Sequence, residues 1–217
     1  MAIFRDYIAA AIIFNLQILP ETIVSGLILL AIVLASAPVT VLAGGVAGTQ
    51  LLARTVGHLM MKFSPDNATL SSSMDACTQG YVGKSWERLL SPSMDMFWHP
   101  KAPSVYQATI GFVAGYGFAL QQLYKEEINA GVMPRSMLMT IGIISGLILL
   151  LSILFRVSSG CESVFTAVLG AALGLIVGYL GTIAVGYSSD RRLTNIWGIP
   201  LLRDRINNGS AVYICQP

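Results

Sequence analysis

Charge is scarce in this sequence. Aspartate, glutamate, lysine and arginine together make up 11% of the 217 residues, against roughly a quarter in water-soluble domains. That shortage excludes an ordinary solvated surface wrapped around a single core. The net charge of +2 excludes the strongly basic face that nucleic acid requires. Two histidines and three cysteines are too few for a cysteine- or histidine-built metal framework, and His58 and His99 are read as facing solvent or headgroups. Four stretches contain no charged residue at all: 22–53, 104–124, 136–155 and 163–189. The last three also lack histidine, which removes the intramembrane ionisable group on which ion and proton pumps depend. No nucleophile elbow, phosphate-binding glycine loop or clustered carboxylate pair is present. We therefore expect no enzymatic activity, no catalytic residue, no bound metal and no cofactor. The first residues lack a basic head and a small-residue cleavage site, so they are read as part of the mature chain.

What the sequence does have is apolar length and glycine. Hydrophobic residues reach 54% and the mean hydropathy is +0.69. At about 1.5 Å per residue, a helix over 163–189 exceeds a bilayer's hydrocarbon core of roughly 30 Å. Within it Gly170, Gly174 and Gly178 recur every fourth residue and Gly181 follows. Such spacing puts small residues on one helical face, where another backbone can approach closely. Gly111 and Gly115 form a second such face in 104–124. Tyr106 and Tyr124 occupy its ends, where interfacial aromatics are expected.

The fold class this implies is all-α and transmembrane, with about four spanning helices, a polar lobe between the first and second, and a short C-terminal β-hairpin. Residues 1–21 form an N-terminal interfacial segment. Residues 22–53 hold the first span, about Ile23 to Val41, kinked by Pro38. Residues 54–103 form an extramembrane lobe rich in turns, residues 104–189 a three-helix membrane region, and residues 190–217 an extramembrane tail. In that tail Asn208-Gly209 separates the runs LLRDRI and AVYIC, a hairpin signal.

Three spans between lobe and tail place these two segments on opposite sides. Basic residues do not orient them. Arg5, Lys125, Arg135 and the four tail arginines stand against Arg54, Lys62, Lys84, Arg88, Lys101 and Arg156, near parity under the positive-inside rule. Cys77 and Cys161 fall on one side and Cys215 on the other, so a Cys77–Cys161 disulfide is topologically allowed and would mark an oxidising compartment. Three unrelated thiols are the alternative. The sequons Asn67-Ala-Thr69 and Asn208-Gly-Ser210 also fall on opposite sides, so at most one can meet the glycosylation machinery.

Two resemblances bear on function. The run Trp197-Gly-Ile-Pro-Leu-Leu-Arg-Asp204, then Asn208-Gly-Ser210 and Ala211-Val-Tyr-Ile-Cys215, with the stretch SGCESVFTAVLGAALGLIVGYLG before it, resembles the endings of small membrane proteins of large icosahedral DNA viruses. The resemblance covers about residues 158–217. It implies a structural virion protein, a minor capsid component anchoring an internal viral membrane to the capsid shell, with membrane lipid and other capsid or membrane-complex proteins as partners in a larger assembly. Met133 and Met137, with Met94 and Met96 as a second pair, precede glycine-spaced helices in an order similar to eukaryotic copper transporters, where soft sulfur holds Cu(I). That likeness implies a small transporter or channel as the alternative. An accessory subunit of a membrane complex is a further one.

Overall fold

The computed structural model describes residues 19, 22–63, 103–129, 135–188 and 191–196. Among them the secondary structure is entirely helical. Helix α1 covers Thr22–Leu34, α2 Ala37–Phe63, α3 Val105–Leu123, α4 Lys125–Asn129, α5 Arg135–Ser158 and α6 Val164–Ser188, and a 3₁₀ turn follows at Arg191–Thr194.

Helix α3 is the hub, and the other long helices pack around it. Its directions relative to them follow from paired positions. Ser104, Ala108 and Phe112 face Gly170, Gly174 and Gly178 in that order, so α3 and α6 run parallel. Gly45 meets Phe112 while Gln50 meets Thr109, so α2 is antiparallel to α3. Gly142 meets Gln121 and Ser152 meets Gln107, so α5 is antiparallel too. The α3 N-terminus and the α5–α6 turn thus share one end of the bundle. The α3 C-terminus and the 3₁₀ turn share the other. Two apolar clusters fill the interior: Tyr106, Ile110, Ala114, Leu149 and Ala171 toward the first end, and Val46, Phe112, Tyr116, Leu120, Leu123 and Tyr124 toward the second.

The sequence reading of four spans is corrected to two. Among the described residues, Ala37–Met60 and Val164–Ser188 are the helices long and apolar enough to cross a membrane. Helix α3 falls short because Gln107, Thr109, Gln121 and Gln122 dilute its apolar character; its neighbours enclose Gln107 and Thr109, while Gln122 at its C-terminal end is exposed. The apolar stretch of α5, Gly142–Ser158, and the whole of α1 are shorter than a span. No strand occurs among the described residues, and the expected hairpin lies outside them, as does most of the 54–103 lobe.

The expected first span is also displaced. Between α1 and α2 the chain breaks at Ala35, which takes a positive φ of 44°. A new helix then starts, with Thr40 N–H bonded to Ser36 O. Pro38 therefore sits in the first turn of α2, where a missing N–H costs nothing, and does not kink a continuous helix. Helix α2 runs on past Arg54 to Phe63, through residues the sequence reading assigned to the lobe.

A left-handed conformation at a residue with a side chain costs roughly 1–2 kcal/mol. Ala35→Gly is expected to raise stability by about 1 kcal/mol, measured as a higher unfolding midpoint in detergent; an unchanged or lowered midpoint refutes this account of the break.

Candidate functional site

The centre of the molecule is the contact between α3 and α6, made backbone to backbone. A Cβ added to Gly111 would lie 2.5 Å from the Ala171 carbonyl oxygen, and one on Gly115 would strike Leu175 O and come within 2.9 Å of Tyr179 N. From the other helix, Cβ atoms on Gly170, Gly174 and Gly178 would strike the carbonyl oxygens of Ser104, Ala108 and Phe112. Five of the six glycines singled out in the sequence thus interlock. Gly181 does not, since a Cβ there meets nothing within 4 Å. The fourth-residue rhythm continues instead through Thr182 and Gly186, both buried, with Gly186 packed on the Leu123 side chain.

This face gives α6 an inverted pattern. Its buried positions are Thr166, Ala167, Gly170, Ala171, Gly174, Gly178, Thr182 and Gly186, all small. Its large side chains point outward, with Phe165 61%, Ile176 58% and Leu180 57% exposed. Helix α5 likewise exposes Ile143, Leu147, Leu151 and Leu154, and α1 exposes Leu29, Ile32 and Val33. Soluble monomers rarely leave contiguous apolar patches larger than a few hundred Å².

Between its two ends the bundle buries neutral polar groups; hydroxyls such as Thr49, Thr109 and Thr182 donate to carbonyls of their own helix, and two side-chain pairs join helices. Gln50 Nε2 donates to Thr109 Oγ1 at 3.1 Å, joining α2 to α3. Ser152 Oγ lies 2.9 Å from Gln107 Oε1, joining α5 to α3. The Gln107 Nε2 is buried with no hydrogen-bond partner. Sequence reasoning missed all four residues; uncharged polar residues inside charge-free stretches were the available signal.

Ion pairs close the two ends. At the first, Arg156 Nε and Nη2 both donate to Glu162 Oε1, at 3.0 and 2.8 Å. The guanidinium also lies over the Tyr106 ring, 4.7 Å from its centroid, a cation–π contact. Gly160 ends α5 in the left-handed conformation with φ 68°, turning the chain so that Glu162 reaches back to Arg156. At the second end, Glu127 is buried 3.9 Å from Arg191. Tyr124 OH donates to Arg191 O at 2.8 Å and Tyr116 OH to Thr194 O at 2.7 Å. These two hydroxyls satisfy carbonyls of the 3₁₀ turn where it packs against the bundle. Tyr106 and Tyr124, expected as interfacial aromatics, are enclosed within the bundle at its two ends, at 2% and 0% exposure. From Tyr106 to Tyr124 the helical rise is roughly 27 Å.

Cys161, in the α5–α6 turn, is disulfide-bonded. Its partner sulfur, like Cys77, lies outside the described residues. So do Met94, Met96 and Met133, and His99. No group of three or more His, Cys, Asp or Glu residues suited to a metal ion occurs among the described residues. Comparison with protein-family models, curated proteins and solved structures finds no match to this chain.

Two outcomes test this geometry. Gly174→Ala drives a methyl into the Ala108 backbone and is expected to cost about 1–3 kcal/mol. Gly181→Ala enters open space and is expected to be neutral or to gain up to about 1 kcal/mol in helix propensity. Equal effects of the two on the unfolding midpoint would contradict the assigned interface. Ser152→Ala strands the Gln107 amide and is expected to cost about 1–3 kcal/mol. Adding Gln107→Leu should recover much of that loss, and a double mutant whose loss is the simple sum would rule out the pairing.

Proposed function

We propose that this chain is a structural membrane protein: a glycine-locked helical bundle seated in a lipid bilayer, with its extramembrane segments docking to neighbours in a larger assembly. One observation carries the reading. The buried face of α6 is built from glycine, alanine and threonine while its phenylalanine, isoleucine and leucine side chains face outward. In water that arrangement leaves the largest apolar groups unburied. In lipid those groups are solvated, and close backbone approach holds the helices together.

Placement of charge agrees. Register puts Arg54 one turn beyond Gln50, level with the first turn of α3. The other described charged residues lie at the Arg156–Glu162 end or the Glu127–Arg191 end. The separation of the two ends is close to the roughly 30 Å of a hydrocarbon core. Direct backbone contact along α3 and α6 leaves no space between these two helices for a conduit. The finer reading, a virion internal membrane with a capsid shell as neighbour, rests on the likeness of residues 158–217 to virion membrane proteins.

Alkaline carbonate extraction followed by flotation of the full chain tests the membrane reading. The chain should stay with lipid, and recovery as a soluble monomer overturns it. Crosslinking mass spectrometry on the native membrane or particle tests the finer reading, with capsid-shell peptides as the expected partners and host membrane-complex subunits as the result against it.

A further inference from the structure

We infer that the bundle has a fixed sidedness in the membrane: the end carrying Arg156 and Glu162 faces an oxidising compartment, and the end carrying Glu127 and Arg191 faces a reducing one. This rests on the membrane reading above and goes beyond it by assigning each end a compartment.

The argument starts from sulfur. Cys161 is disulfide-bonded and the chain has three cysteines, so within one chain its partner is Cys77 or Cys215. Helix directions separate these two. Because α2 is antiparallel to α3, its C-terminus and the start of α3 lie at the same end as the α5–α6 turn. Residues 64–102, Cys77 among them, therefore connect two points at the Cys161 end. Cys215 follows Ile196, which packs against the cluster containing Leu120 and Tyr124 at the opposite end. With Val164–Ser188 crossing the bilayer, hydrocarbon roughly 30 Å thick lies between Cys161 and the tail, and Cys77 is the cysteine left on its side.

Closing that bond removes two protons and two electrons from two thiols. A disulfide oxidant of the compartment, either a protein disulfide or oxidised glutathione, accepts them and becomes two thiols. Such bonds form and persist in oxidising compartments, while reductants on the cytosolic side keep thiols free. Basic residues are too evenly divided to orient the chain, so the disulfide supplies the missing sign.

The experiment expresses the full chain in eukaryotic cells, isolates sealed microsomes and traps free thiols with N-ethylmaleimide at lysis. Peptide mapping without reductant should recover Cys77 linked to Cys161 and Cys215 alkylated. The sequons give an independent reading. A glycan sensitive to peptide N-glycosidase should be lost in Asn67→Gln and retained in Asn208→Gln. A Cys161–Cys215 link, an alkylated Cys161, or a glycan on Asn208 overturns the sidedness. Carbonate extraction of the same microsomes keeps the two ideas apart. A chain retained by lipid but showing any of those three results loses the sidedness alone, whereas a chain released from lipid loses the membrane reading and the sidedness together.

Discussion

The structure depends on how closely two backbones can approach. Where α3 and α6 cross, five glycines remove every Cβ that would hold the helices apart, and carbonyl groups of each helix lie against the α-carbons of the other. Dispersion attraction falls steeply with distance, so a methyl group at any of these positions disrupts many contacts at once. The remaining elements are arranged around that contact. Helices α2 and α5 flank α3 in the opposite direction and tie to it through single polar pairs, Gln50 with Thr109 and Gln107 with Ser152. The ends are closed by ion pairs and by tyrosine hydroxyls. Packing of small residues supplies the cohesion, and the sparse hydrogen bonds set the register.

This division of roles fits a bilayer. A soluble bundle buries leucine, isoleucine and phenylalanine and gains from taking them out of water. Here that gain is largely unused, because many of the large apolar side chains of α1, α5 and α6 face outward. The interior instead holds neutral polar groups that would each be costly against lipid but are enclosed by neighbouring helices. Helix α3 shows the point best: Gln107 and Thr109 are fully buried in it, paired with Ser152 of α5 and Gln50 of α2.

Much of this was legible in the sequence, and the failures have physical causes. The glycine face was readable because a step of four residues nearly matches a helical turn, so Gly170, Gly174 and Gly178 must share a side. Gly181 was misplaced by three residues of rotation, while Thr182 and Gly186 kept the step. Helix α3 was overread as a span because absence of charge was taken as apolarity, which overlooks glutamine and threonine. The break at Ala35 had no local marker. Pro38, three residues later, drew attention to itself but belongs to the start of the next helix. The enclosure of Tyr106 and Tyr124, at the ends of an apolar run, was not legible. Their real environments depend on Arg156 and on the 3₁₀ turn, which are distant in sequence.

Parallel alignment of α3 with α6 has a consequence for how the chain is made. Two parallel helices cannot be joined by a tight loop, so α5 must traverse the bundle before α6 can meet its partner. During synthesis the Gly111–Gly115 groove therefore remains uncovered while the next two helices emerge, and it closes only when Gly170, Gly174 and Gly178 leave the ribosome. Closure of this interface is thus a late event that depends on α6 reaching α3.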